Sequence, residues 1–181
     1  MTSSVLAFDD WETRTGVPQE TVVQVQHFTF RNTWSQALAN GTTFYATPLT
    51  KSITPIYNDS AIYMNFFIHG GTSYWENQGK VGRVIGAGSN TFIGIGSADG
   101  NRSRCGWTTL KYDQGFDEQD WHNVGYQYLD FPATTSTVTY TMWMSGYSTN
   151  TIHINRTDLD SNNDRYYYQP ISTVTLMEIR Q

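Results

Sequence analysis

The nine residues TVTYTMWMS, Thr137 to Ser145, limit this chain more than any other stretch. Val138, Tyr140, Met142 and Met144 alternate with Thr137, Thr139, Thr141 and Trp143. A period of two puts one set on one face of an extended strand, and no helix gathers such a set on one side. The rest of the chain reads the same way. Good helix formers never cluster, and β-branched and aromatic residues dominate between Gly, Asn, Ser and Asp. That composition suits pleated strands joined by turns. ETVVQVQHFTF, TTFYATPL, AIYMNFFI, NTIHINR and ISTVTLMEI bring the total to about eight short strands, the pattern of a sandwich, barrel or jelly roll.

Two strands carry further expectations. In AIYMNFFI, Ile62, Met64, Phe66 and Ile68 share one face while Ala61, Tyr63 and Phe67 share the other. A strand apolar on both faces is covered on both, and the second cover is expected to be another subunit. RVIGAGSNTFIGIGS reads as a hairpin turning near Ser89 and Asn90, with Gly86, Gly88, Gly94 and Gly96 inside its strands.

Residues 1–20, MTSSVLAFDDWETRTGVPQE, end at a Gly-Val-Pro break yet hold Leu6, Phe8 and Trp11. A solvated tail needs none of these, so the segment reads as an arm that docks on another protein or on its own domain, residues 21–181. A length of 181 residues suits one domain with an arm and buries a core without disulfide or metal staples. The lone Cys105 excludes an internal disulfide framework and suits assembly in a reducing cytoplasm. Net charge is −5 and Lys and Arg never run together, so nucleic acid and anionic membrane are not expected partners. No apolar run reaches the roughly 18 residues of a spanning helix, and no secretion signal is visible.

Candidate chemistry is sparse. In TDLDSNNDRYYYQP, Asp158, Asp160, Asn162 and Asp164 fall at alternate positions, as the first ligands of a calcium loop do. Gln169 stands where an EF-hand has its bidentate Glu, and no helix flanks the loop, so a solvated turn is the simpler reading and a calcium site the weaker one. The Gly86 and Gly94 pairs open no helix, which removes a phosphate cradle. His27, His69, His122 and His153 are scattered, without metal-ligand spacing. Asp113, Asp117, Glu118 and Asp120 beside Trp121 are the only carboxylate cluster from which a polysaccharide hydrolase could be argued. The N-x-[ST] sequons at Asn40, Asn58, Asn101 and Asn155 are what this composition produces by chance. No catalytic residue and no cofactor is assigned.

YLDFPATTSTVTY, IHINR, the Asp/Asn loop and the closing STVTLMEI resemble the C-terminal knob of tail-fibre and other virion structural proteins of tailed phages, of the marine and cyanobacterial kind. TPLTKSITPIYNDSAIYMNFFIHGG and VVQVQ extend the resemblance over residues 21–181. It implies a jelly-roll-like β-sandwich, homotrimeric, displayed on the virion surface, and not an enzyme. As a host-reading knob, Tyr166, Tyr167 and Tyr168 would meet a host surface glycan or protein. The arm is short for a fibre, which raises a second reading. A capsid decoration (cement) protein would instead grip the major capsid protein through Leu6, Phe8 and Trp11. Other virion proteins, of fibre, baseplate or capsid, are the implied partners.

Overall fold

A computed structural model describes residues 20–72, 76–110, 122–146, 149–157 and 168–181. They form β1 (Val22–Phe30), β2 (Trp34–Ala37), β3 (Tyr45–Ile53), β4 (Ala61–Thr72), β5 (Glu76–Ile85), β6 (Thr91–Ile93), β7 (Trp107–Leu110), β8 (His122–Asp130), β9 (Val138–Gly146), β10 (Thr151–Ile154) and β11 (Ser172–Ile179). All pairings are antiparallel.

The strands resolve into eight rows, because three rows are each made of two strands set end to end. β8 runs along one edge of β4, while β11 and β10 share the other edge, with β1 and β2 beyond them. In the second sheet β9 lies between β3 and β5, and β6 and β7 share the far edge of β5. Partners are therefore nested along the chain: β5 with β6 and β7, β4 with β8, β3 with β9, β1 with β11. Wrapping such a nest into two facing layers is the jelly roll. The expected all-β, jelly-roll-like sandwich is the observed fold, and where about eight antiparallel strands were expected, eleven among the described residues are arranged in eight rows.

The alternation in β9 now has its reason. Val138, Tyr140, Met142 and Met144 are buried between the layers, facing Ile62, Met64, Phe66 and Ile68 of β4 and Val174 and Leu176 of β11. The threonines of β9 face out and pair across to β3. Thr50 with Thr141, Ser52 with Thr139 and Thr54 with Thr137 each share a hydroxyl bond of 2.8 Å.

Two glycine expectations change. Gly86 and Gly88 lie in the turn after β5, where the Gly88 N–H donates to the Ile85 carbonyl, and not inside a strand. Gly94 follows β6 at φ 59°, with the Tyr126 hydroxyl where a Cβ would stand. Tyr126 donates to the Gly94 carbonyl at 2.8 Å and ties β8 of one sheet to the β6 edge of the other. Glycine is needed there for both conformation and space.

Two carboxylates lock the same end of the sandwich. Asp130 closes β8, accepts from the Arg83 guanidinium at 2.7 and 3.0 Å, and accepts from the Tyr140 hydroxyl at 2.8 Å. Glu178 of β11 is fully buried and takes the Ile56 and Tyr57 N–H groups, the Ser60 hydroxyl and the Gln24 amide. It thereby holds the β3–β4 loop against β11. Removing one member of a buried charged pair strands the other, so Asp130→Ala should lower unfolding free energy by about 3–5 kcal/mol in urea titration.

Burial, followed by the charge and hydrogen bond of Asp130, holds the Tyr140 phenol far above the ordinary tyrosine range. Burial, followed by Tyr128, pushes Tyr126 up to about 12. The folded state therefore keeps these protons more tightly than the unfolded chain, whose tyrosines titrate near pH 10. This contribution is full below about pH 10 and is lost as pH rises toward the folded values. Phenolate absorbance should show these two tyrosines ionising only together with loss of the β-sheet circular dichroism signal.

Candidate functional site

The described residues do not assemble a catalytic constellation. None of their His, Cys, Asp and Glu side chains form a group of three that could hold a metal ion. Three of the four histidines come to neighbouring strands at one end of β4, where His122 pairs with Gly70 and His153 with Gly71 beside His69, yet they form no such group. His27 lies on the outer side of β1, bonded to Thr175 and Thr29, and His69 packs edge-on against Phe67. His153 bonds Ser35, and His122 opens β8. A crevice between the sheets beside Asn77, Trp107, Thr109 and His122 encloses a volume of about 0 Å³. That is smaller than the roughly 300 Å³ at which small-molecule pockets begin. Asn77 Oδ1 and Thr109 Oγ1 are buried there without a partner. Asp113, Asp117, Glu118 and Asp120, the candidate calcium ligands Asp158, Asp160, Asn162 and Asp164, the tyrosines 166 and 167, and the arm residues Leu6, Phe8 and Trp11 lie outside the described residues. Tyr168 is described, and is exposed.

What the fold does present is two outer sheet faces of different character. On the second sheet, Lys80 of β5 sets its ammonium 3.7 Å from the Phe44 ring centroid and 3.9 Å from that of Phe92. Phe92 in turn meets Trp143 edge-on at 5.5 Å. Gly82 has no side chain between them, which lets Trp143 lean across β5 toward Asn90. Burial lowers the Lys80 pKa, helped by Arg104 and opposed by Cys105. Burial, with Glu76, raises that of the Cys105 thiol. With the hydroxyl ladder of β3 and β9, this face covers most of its own groups, with Lys80 over its aromatics and its ladder hydroxyls paired, while Trp143 Nε1 is buried without a hydrogen-bond partner. Cation–π contacts are worth about 0.5–2 kcal/mol, so Lys80→Ala should cost up to that much in urea titration.

The first sheet is different. Val25 of β1, Met177 of β11, Tyr63 of β4 and Leu129 of β8 stand in register across its outer side as one apolar band. Val22 and Ile179 extend the band at one end. Val22 is 48% exposed, Val25 52%, Leu129 39% and Phe67 44%, and Phe131, just after β8, reaches 58%. Among the described residues, no exposed large apolar side chain lies on a strand of the second sheet. The two-faced character of AIYMNFFI is thus resolved: its Ile62 face is core, and its Tyr63 and Phe67 face belongs to this bare surface. The Val25, Leu129 and Met177 contributions were missed from sequence. The alternation of Val25 with polar neighbours and the YLDF run of β8 were the available signals.

No family model matches the chain, and no curated protein matches it. Among solved structures it is similar to that of the infectious bursal disease virus Gx strain, at 8% identity and TM-score 0.39, covering 88% of this chain and 41% of that one. It is also similar to the VP2 subviral particle of infectious bursal disease virus, at 8% identity and TM-score 0.37, covering 88% of this chain and 43% of that one. T=1 particles derived from that virus match at 7% identity and TM-score 0.40, covering 89% of this chain and 37% of the other. The chain spans about two-fifths of the length of these chains. At such scores the likeness is one of strand arrangement and carries no argument about role. These are structures of infectious bursal disease virus and not of tail-fibre knobs, which corrects the resemblance drawn from sequence. The bacteriophage, cyanophage and tail-fibre expectations go with it. Threonine-rich strands, an Asp/Asn loop and a closing apolar strand follow from general strand and turn preferences, so that pattern does not by itself mark a lineage.

Proposed function

We propose that this chain is a non-enzymatic virion structural protein, a jelly roll that decorates a capsid and is anchored by the arm of residues 1–20. The observation that carries this reading is that the roll completes its own core from residue 20 onward. Among the described residues, eight rows enclose a continuous apolar layer, and the crevice beside Asn77 is too small for an ordinary ligand. The chain enters the roll at an edge row, where the Glu20 N–H donates to the Arg180 carbonyl at 2.5 Å. On this reading Leu6, Phe8 and Trp11 act apart from the core that the described residues build. Their role is to bury apolar surface against the major capsid protein. Each such side chain contributes about 1.5–3 kcal/mol when fully buried, before the cost of ordering the arm. The jelly roll also serves shell proteins elsewhere, which is an analogy of fold and not of site.

Deletion of residues 1–19 should abolish co-sedimentation with capsids while the circular dichroism spectrum stays that of the folded roll. Replacing Leu6, Phe8 and Trp11 together by Ser should do the same. Normal capsid binding by either variant would refute the anchor.

A further inference from the structure

We propose that the bare outer face of the first sheet is the seat of a second copy of this chain. The role of such a pair rests on the virion-structural reading, but its existence does not, and it is tested without any capsid.

Charge is the first argument. The outward positions of β1, β11, β4 and β8 are Val25, His27, Thr29, Thr173, Thr175, Met177, Ile179, Tyr63, Asn65, Phe67, His69, Asn123, Gly125, Gln127 and Leu129. They include no Lys, Arg, Asp or Glu, on a chain whose formal net charge is −5. Two copies of an acidic protein repel across most approaches. They meet without like-charge opposition where neither presents an ionised side chain.

The second argument is area. Four rows about 4.8 Å apart and seven residues rising about 3.4 Å each give a face of roughly 450 Å² in projection. That already exceeds the roughly 400 Å² per partner of a packing contact, and side-chain relief carries the accessible area toward the roughly 800 Å² of a stable pair. Phe131 and Ile171, exposed at opposite ends of the face, enlarge it further.

The third is self-complementarity. A two-fold axis through the face lays like surface on like surface, so the Val25–Met177–Tyr63–Leu129 band needs no differently shaped partner. Two twisted antiparallel sheets stack face to face in aligned packing about 10 Å apart. The polar row between the apolar ones is partly satisfied already, since His27 bonds both Thr175 and Thr29.

The test is sedimentation velocity with light scattering on the full chain from about 1 to about 100 µM, the range in which a contact of this size equilibrates. The expected result is a concentration-dependent pair. Val25→Asp and Leu129→Asp, both at exposed positions, should each weaken it about tenfold or more, with the melting temperature held. Thr139→Asp, on the outer side of the other sheet, should leave the pair intact. A full chain that stays monomeric throughout overturns the proposal, as does a Val25→Asp variant that associates normally. If deleting residues 1–19 converts a monomer into a pair, the arm and not a second copy covers the face, which also overturns it. A full chain that pairs normally yet never co-sediments with capsids would refute the decoration reading and leave this interface standing.

Discussion

The apolar layer between the two sheets is the constraint on which everything else depends. Each strand gives it alternate side chains, so the opposite set of every strand is committed to the outside. Tyr140, Met142 and Met144 from one layer meet Phe66, Met64 and Leu176 from the other without solvent between them. Nested pairing makes the layer continuous, since the first and last rows lie side by side and close the core that the middle hairpin opens. The layer cannot close its own ends with apolar atoms alone. Polar clamps do so, with Asp130 bridging Arg83 and Tyr140 across the sheets and Glu178 collecting the β3–β4 loop. A carboxylate is suited to that position because one group accepts several donors that would otherwise be buried unpaired.

Committing one set inward leaves two outer faces, and the molecule treats them differently. The second sheet neutralises its own face through a capped aromatic cluster and a ladder of paired hydroxyls. The first sheet leaves Val25, Leu129 and Phe67 bare in an uncharged field. A protein whose charged fraction is only 15% has few means of keeping such a face in water. The contrast lies between whole faces and not in any single residue.

Much of the architecture was legible beforehand, and for identifiable reasons. The Val138–Met144 alternation, the two-faced AIYMNFFI strand and the hairpin near Ser89 are local patterns, and local patterns survive without tertiary knowledge. The positions of Gly86 and Gly88 were misread because a glycine-rich run does not say where a strand yields to its turn. Glu178 in LMEI and Asp130 in YLDF gave no hint of burial, since a carboxylate is read as exposed until its donors are known. Apart from the Tyr140 hydroxyl, ten positions from Asp130, those donors come from residues more than forty positions away in the chain.

By itself, the sequence determined that this chain is all-β, that its strands are short, and that its alternate side chains form one core. These follow from period-two alternation and composition, which act residue by residue. Only the tertiary structure decided which face of which sheet is left bare. The outer partners Val25, Met177, Tyr63 and Leu129 come from four separate strands. They become one surface only when antiparallel registers set them side by side, and register is a property of pairs of strands that no single strand carries.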